Sequence, residues 1–542
     1  MYKLAKQTLR DILVQSSETY AERQALRTVD GSTIIEYRDL APLAAAFADR
    51  LEAAGLKRGD RVVLLSENRP EWGVAYLGAT AAGYVIVPIL VDFMPEQIAN
   101  IIAHAEARAI VVSDKTTAKV GSFKGTTIAI ESLASPEARV SAAGTSPATA
   151  FPSVDEDSLA AILYTSGTTG TSKGVMLTHK NLVSNVIASR SIIRMHRTDR
   201  FLSILPLAHT YECTLGFINA VAQGSSAWYL DKPPVASVLL PALRQVRPTI
   251  ILSVPLIIEK VYRASVLPTL QKMSLYRHEW LRPLLYRLAG IKLKKTFGGR
   301  VRFFGIGGSA VAPDVEAFLL AAHFPYAIGY GLTETSPLIA GSRPYKTILR
   351  STGPALKGVE LRIADPKPDT GEGEIQARGP NIMQGYYKDP EKTKEVFSED
   401  GWFRTGDLGI FDERGRLFIR GRLKTMILGA SGENIYPEEI EALINKSAYV
   451  AESLVVSEGS GLTALVQLRQ EVLDDLKAKA QDSMETFERT TEDMLEYVRK
   501  EVNSGLSAFS KVTKVVLHHE PFEKTPTQKI KRFLYGIHGK KG

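Results

Sequence analysis

Residues 164–174 read YTSGTTGTSKG, with six serines and threonines, three glycines and one lysine in eleven positions. A turn needs only one or two such residues, so this density points to an anion. Glycine lets the backbone bend close to a ligand. Successive N–H groups can then form an anion-binding nest. Ser166, Thr168 and Thr169 add hydroxyl donors around Gly167 and Gly170, and Lys173 adds a movable charge. The spacing is not G-x-x-x-x-G-K-[ST], so this is not the common nucleotide P-loop. Farther along stand Glu334 in GYGLTET (329–335), Asp407 in GWFRTGDLG (401–409) and Lys529 in KTPTQKIKR (524–532). Taken singly, Lys529 reads as one solvated cation among Lys524, Lys529, Lys531 and Arg532, and Glu334 as a solvated or paired surface acid.

The elements that must position these residues alternate. RVVLLS (61–66), YVIVPI (84–89), ARAIVVS (107–113), RFLSIL (200–205), TIILSV (249–254) and RVRFFGIG (300–307) are short apolar strand candidates beside helical stretches. Such alternation predicts parallel sheets covered by helices. Helices are expected over Trp72–Ala82 and Pro95–His104. VSAAGTSPATAFPSVDED (140–157) reads as a surface loop leading into the strand LAAILYT. The hydroxyl-rich loop is expected to follow that strand and to precede the helix HKNLVSNVIASR.

After about residue 350 short strands and glycines, as in GEGEIQARG and RGRLFIRGRL, predict a small β-rich segment. A tail follows with its own strands (YVAESLVVS, LTALVQL, KVTKVVLHH) and helices. Met484, Phe487, Leu495, Val498 and Val502 fall at near-helical spacing, as in an amphipathic helix packed on its own domain. The fold class is therefore α/β. A large N-terminal domain (residues 1–421) holds helix-covered, largely parallel sheets and a small β subdomain. A smaller α+β C-terminal domain covers residues 422–542.

The bulk numbers fit a globular chain of 542 residues, 44% hydrophobic and 23% charged. A net charge of +8 suits polyanionic ligands such as nucleotides, or loose contact with anionic lipid, without pointing to nucleic acid. The single cysteine, Cys213, excludes an intrachain disulfide and a Cys-based zinc site. Arg10 and Asp11 interrupt the N-terminus before any long apolar run, so it does not read as a secretory signal. Gly73–Val91 is uncharged, but Gly83 and Pro88 divide it into a helix and a buried strand rather than a membrane span. The compartment read from this is cytoplasmic. Peripheral contact with the inner membrane face and a homodimer both stay open.

Taken together, the motifs resemble those of the adenylate-forming, AMP-binding enzymes. YTSGTTGTSKG resembles the signature loop, GYGLTET a second nucleotide motif and GWFRTGDLG the ribose-binding motif. GRLKTMILGASGENIYPEEIE (421–441) is similar to the hinge motif, and KTPTQKIKR to the catalytic-lysine motif. All five stand in the family's order, and the resemblance covers residues 20 to 535.

The resemblance implies ATP-driven activation of a carboxylic acid to an acyl-adenylate, then transfer to a thiol. It implies that Lys529 places positive charge between the carboxylate and the α-phosphate, where two anions meet. Thr165 and Glu334 become the implied Mg²⁺ ligands, because one carboxylate and one hydroxyl with phosphate oxygens and water suit that ion. Thr333 would contact phosphate. Asp407 would accept the ribose hydroxyls, with Arg422 on the same sugar. Gly307, Gly308 and Ser309 would lie along the adenine, with Gly329, Tyr330 and Gly331 opposite and Tyr330 stacking on it. Lys424 marks the hinge of a mobile C-terminal domain, and Gly429 and Gly432 the loop offered to the pantetheine of coenzyme A.

LPLAHTYE (205–212) is similar to the family's acid-pocket motif and offers His209, with no aspartate nearby for a substrate amine. T-P-T-x-K-x-K-R, with Gln528 where glycine is common, resembles the long-chain fatty acyl-CoA synthetase branch. The expectation is a ligase of fatty acid, ATP and CoA with Mg²⁺. Two alternatives stand beside it: delivery of the acyl group to a carrier protein, and another non-amino acid as substrate. A non-catalytic binding protein is disfavoured, because Lys529, Glu334 and Asp407 are all present.

Overall fold

The computed structural model describes residues 4–165, 173–428, 434–458, 461–480, 484–507, 510–525 and 530–535. Two large sheets dominate the first 390 residues. The eight-stranded sheet runs, edge to edge, through Ile34–Glu36, Gln24–Thr28, Ser226–Tyr229, Arg200–Ser203, Ile250–Ser253, Phe303–Ile306, Tyr326–Gly331 and Leu338–Gly341. All its pairings are parallel except the two outermost. The seven-stranded sheet runs through Gly385–Tyr386, Lys173–Thr178, Leu159–Thr165, Val85–Pro88, Arg61–Leu65, Ala107–Val112 and Thr126–Ala129. Its last five strands are mutually parallel. The six strand candidates read from apolar runs all fall within these sheets.

The expected helices form over Pro70–Ala81 and Pro95–His104, each with proline in its first turn. There the missing N–H costs no hydrogen bond and φ is already helical. Every residue of Pro70–Ala81 is buried. Glycine allows that depth: a Cβ on Gly78 would lie 2.5 Å from the Ala44 carbonyl oxygen of the helix Tyr37–Ala53. The stretch expected as a loop from residue 140 begins inside a short helix, Pro136–Ala142, that Ser135 caps through the Ala138 N–H.

One expectation is corrected. The helix expected over HKNLVSNVIASR does form, but the hydroxyl-rich segment does not adjoin it. A strand, Lys173–Thr178, intervenes and pairs antiparallel with Leu159–Thr165, so the loop closes a β-hairpin. In KGVMLT Val175 and Leu177 are fully buried on one face, while Met176 on the other is only partly covered. The helix His179–Ser189 starts only where Thr178 and Asn181 cap each other's N–H groups, at 3.1 and 2.9 Å.

The expected β segment is a four-stranded antiparallel sheet, Glu360–Ala364, Gly373–Arg378, Phe403–Phe411 and Leu417–Arg422. Beyond it, Val450–Glu458, Gly461–Leu468 and Val512–Leu517 form a three-stranded sheet. Ile435 to Val512 contribute an apolar cluster separate from those of the large sheets. Phe487, Leu495, Val498 and Val502 of the helix Met484–Ser504 pack into it, as their spacing predicts.

Candidate active site

The carboxyl ends of several strands bring the motif residues together. Thr165 and Lys173 are register partners at the mouth of the hairpin. Ser166, Gly167, Thr168, Thr169 and Gly170 lie outside the described residues, as do Gly429, Gly432 and Lys529.

Tyr386, which no motif marked, organises the hairpin's mouth. Its strand pairs with the hairpin strand, Tyr386 opposite Val175. Its ring lies 4.9 Å from Lys173 Nζ, and its hydroxyl donates to Glu334 Oε1 at 2.9 Å. Burial first, and the Glu334 charge next, push the Tyr386 hydroxyl up, so it stays a donor at neutral pH. Met383 N–H donates to the Glu334 carbonyl at 2.9 Å, tying the Thr333–Thr335 turn to the same segment. The Lys173 ammonium is lowered, by burial first and then by Lys424 and Lys392, with Glu334 and Asp389 partly opposing. Three cations and Glu334 therefore share one electrostatic neighbourhood, and the residue expected at the hinge, Lys424, belongs to it.

Asp407 forms a second centre. It is 4% exposed, and Tyr330 donates to its Oδ2 at 2.7 Å while Arg422 Nε lies 3.0 Å from its Oδ1. Asp407 and Arg422 are cross-strand partners in the small sheet, whereas Tyr330 reaches across from the eight-stranded sheet. Burial, then the Asp407 charge, raise the Tyr330 hydroxyl well above its usual range. Gly329–Gly331 end the strand that carries Tyr330, and Gly307–Ser309 follow the neighbouring strand Phe303–Ile306. Gly308 holds φ +92°, a conformation glycine adopts without strain. A Cβ on Gly307 would press 3.4 Å from the Tyr211 ring.

Beside these glycines opens an apolar cleft of about 40 Å³. Tyr211, Leu215, Leu252, Phe303, Ile328 and Leu338 line it, and no charged side chain does. Tyr211 and Leu215 stand on a π-helical turn, Tyr211–Ile218, a form that recurs at functional sites. His209 precedes that turn and its Nδ1 accepts the Tyr211 N–H at 3.3 Å, which places its ring proton on Nε2. It does not line the cleft itself. Glu212, 3% exposed on the same turn, is pushed up to about 8 by burial, against a smaller lowering by Ser203.

The AMP-binding enzyme family model matches residues 13–387. The chain belongs to the AMP-binding enzymes. This AMP-binding enzyme is similar to Long chain acyl-CoA synthetase 7, peroxisomal, of Arabidopsis thaliana, at 32% identity over 97% of this chain and 84% of that protein. It is 28% identical to Long-chain-fatty-acid--[acyl-carrier-protein] ligase AEE15, chloroplastic, of the same plant, over 96% of this chain and 84% of that one. Among solved structures it resembles ATP-bound MatB from Rhodopseudomonas palustris, with TM-score 0.74, 28% identity, and coverage of 97% and 98% of the two chains. Among the described residues of this AMP-binding enzyme, no helix is long and apolar enough to cross a membrane.

Proposed function

We propose that the protein activates a long-chain fatty acid with ATP to the acyl-adenylate, releasing pyrophosphate, and passes the acyl group to coenzyme A with release of AMP. The observation that carries the acid's class is the uncharged cleft. Its polar side chains, Ser189, Asn219 and Ser342 among them, are all neutral, so it offers no opposite charge to an amine or a second carboxylate, and a buried charge without one would be costly. The cleft is narrow, so an acyl chain must turn its side chains aside; Met195, unbranched and adaptable, is the wall residue best suited to this.

In this reading Asp407 takes the ribose hydroxyls, with Arg422 and Tyr330 holding its carboxylate in place. Gly307, Gly308 and Ser309 lie along the adenine, with Tyr330 and its flanking glycines. Ser166, Gly167, Thr168, Thr169 and Gly170, with Lys173 and Thr333, hold the β- and γ-phosphates, which leave together. Lys529 sits between carboxylate and α-phosphate, and His209 at the entrance to the acid pocket. The two steps need different faces, so residues 422–542 turn about Lys424 as a unit, with Gly429 and Gly432 meeting pantetheine. The boundary at residues 421 and 422 falls one residue before the end of the last strand of the small sheet, Leu417–Arg422.

The residues present also fit Mg²⁺. Among the described residues no cluster of three or more His, Cys, Asp or Glu builds an all-protein metal site. Glu334 with the Thr165 hydroxyl is the sparse oxygen set expected of an ion carried on phosphates. Bound there, Mg²⁺ would neutralise triphosphate charge.

The test is thioester formation by the purified protein with ATP, Mg²⁺ and CoA against acids of graded chain length. Turnover rising with chain length supports the reading, and no thioester with any acid sinks it. A second reading has support in the similarity to an acyl-carrier-protein ligase: AMP release without CoA, restored to full turnover by a carrier's pantetheine arm, would select it. Lys529→Ala is expected to abolish adenylation yet largely spare thioester formation from supplied acyl-adenylate; equal loss of both refutes the turning of the C-terminal region.

A further inference from the structure

The parallel strands Ile250–Ser253 and Phe303–Ile306, which supply Leu252 and Phe303 to the cleft, are joined by a long crossover. Its last helix, Arg282–Thr296, is apolar on two faces. Leu285 and Leu293 are buried against the domain. Leu284, Leu288 and Ile291, at spacings of four and three, form a row on the opposite side, 57%, 54% and 57% exposed. Trp280, just before the helix, is 78% exposed, and Leu275 and Met273 are also exposed. Single exposed apolar residues are ordinary; a contiguous row marks an interaction surface.

The same segment is the most basic part of the chain. From Lys272 to Arg300 eight lysines and arginines meet one carboxylate, Glu279, so these residues carry seven of the eight net positive charges. Glu279 is engaged by Arg282 at 3.2 Å. Lys272, Arg277, Arg287, Lys292 and Lys295 are exposed, and none has a carboxylate partner among the described residues.

We propose that this face seats the protein on an anionic lipid surface. Leucine, isoleucine and tryptophan side chains enter the boundary between headgroups and acyl chains, while the cations pair with the headgroups. Charge decides among the occupants. A second copy would bring its own sevenfold positive face, and nucleic acid has no use for a row of aliphatic side chains. Contact is peripheral, and it places lipid against the crossover that frames the apolar cleft.

The test uses the full chain with phosphatidylcholine vesicles, with and without phosphatidylglycerol. Sedimentation with the phosphatidylglycerol vesicles is expected, weakened by salt, together with a blue shift of tryptophan emission that Trp280→Phe removes. The neutral triple variant Leu284→Ser, Leu288→Ser, Ile291→Ser is expected to bind at least about tenfold more weakly while melting at the parent temperature. Should that variant fail to fold, Leu288→Ser alone and quenching of Trp280 by brominated lipid probe the same contact.

Vesicle binding unchanged in these variants overturns the proposal. So does a dimer, in sedimentation velocity, that they abolish without any vesicle binding by the parent. Duplex DNA binding by a parent that ignores vesicles overturns it as well. The assay needs no acid substrate, so its failure leaves the ligase reading untouched.

Discussion

Two helices of this protein are apolar on more than one face. Pro70–Ala81 and Arg282–Thr296 both lack the single polar side of a surface helix. The first is buried at every residue, with Trp72 stacked on Tyr76 at 5.0 Å and edge-on to Phe217 at 5.8 Å. The second leaves Leu284, Leu288 and Ile291 in the open. Their compositions explain the difference only in part. Small residues (Gly73, Ala75, Gly78, Ala79) let the first approach its neighbours closely. Arg287, Lys292 and Lys295 keep one side of the second from being covered by protein, since buried unpaired cations are costly. An apolar helix face thus signals burial in something, and the charges beside it tell whether that is the protein's own core.

Substitutions test the contrast. The largest effect is expected from Trp72→Ala, which empties a stacked aromatic site and is expected to cost about 3–5 kcal/mol in denaturant unfolding; a loss below about 1 kcal/mol would mean that the helix is not the buried member of the pair. Gly78→Val puts a side chain against the Ala44 carbonyl and Phe47, with a destabilisation of about 1–3 kcal/mol. Unchanged melting of that variant would show that the two helices are not in such close contact.

The buried helix also leans on Phe217, on the same π-helical turn as Glu212. The folded-state carboxyl of Glu212 is raised to about 8. The folded protein therefore holds a proton that the unfolded chain releases above about pH 4.5. Stability attributable to this group falls as pH rises from there to about 8, and is level above it. Glu212→Gln is expected to flatten that slope in a melting series across pH; an identical slope in parent and variant would place the carboxyl in water.

The smallest expected effect on stability is from Leu288→Ser, within about 0.5 kcal/mol, in the helix whose apolar face is already open. A cost comparable to that of Trp72→Ala would mean the two helices do not differ as described.

Much of the framework is legible along the chain. Apolar runs bounded by turn residues place the parallel strands, because burial on both faces demands such runs. The tail's amphipathic helix is readable from spacing alone. The strand Lys173–Thr178 is hidden because its six residues lie between the loop motif and the helix expected from His179, and its first two, Lys173 and Gly174, belong to that motif. For the site, Glu334, Asp407 and Lys173 stand out by motif. Tyr386, in MQGYYKDP, carries no signal, since only its pairing with the hairpin strand brings it to Lys173 and Glu334. Likewise the motif around Tyr330 suggests a partner for a base, whereas its hydroxyl also holds Asp407 from 77 residues away.

Side-chain chemistry and short-range periodicity, properties of neighbouring residues, settle in advance which groups could bind phosphate, which strands would be buried and where charge would collect. Which carboxylate oxygen meets which hydroxyl, which cations share a field and which apolar face stays uncovered depend on residues far apart in sequence. Those choices arise only when sheets stack and crossovers close, because hydrogen bonds and burial act over a few ångströms whatever the length of chain between the partners.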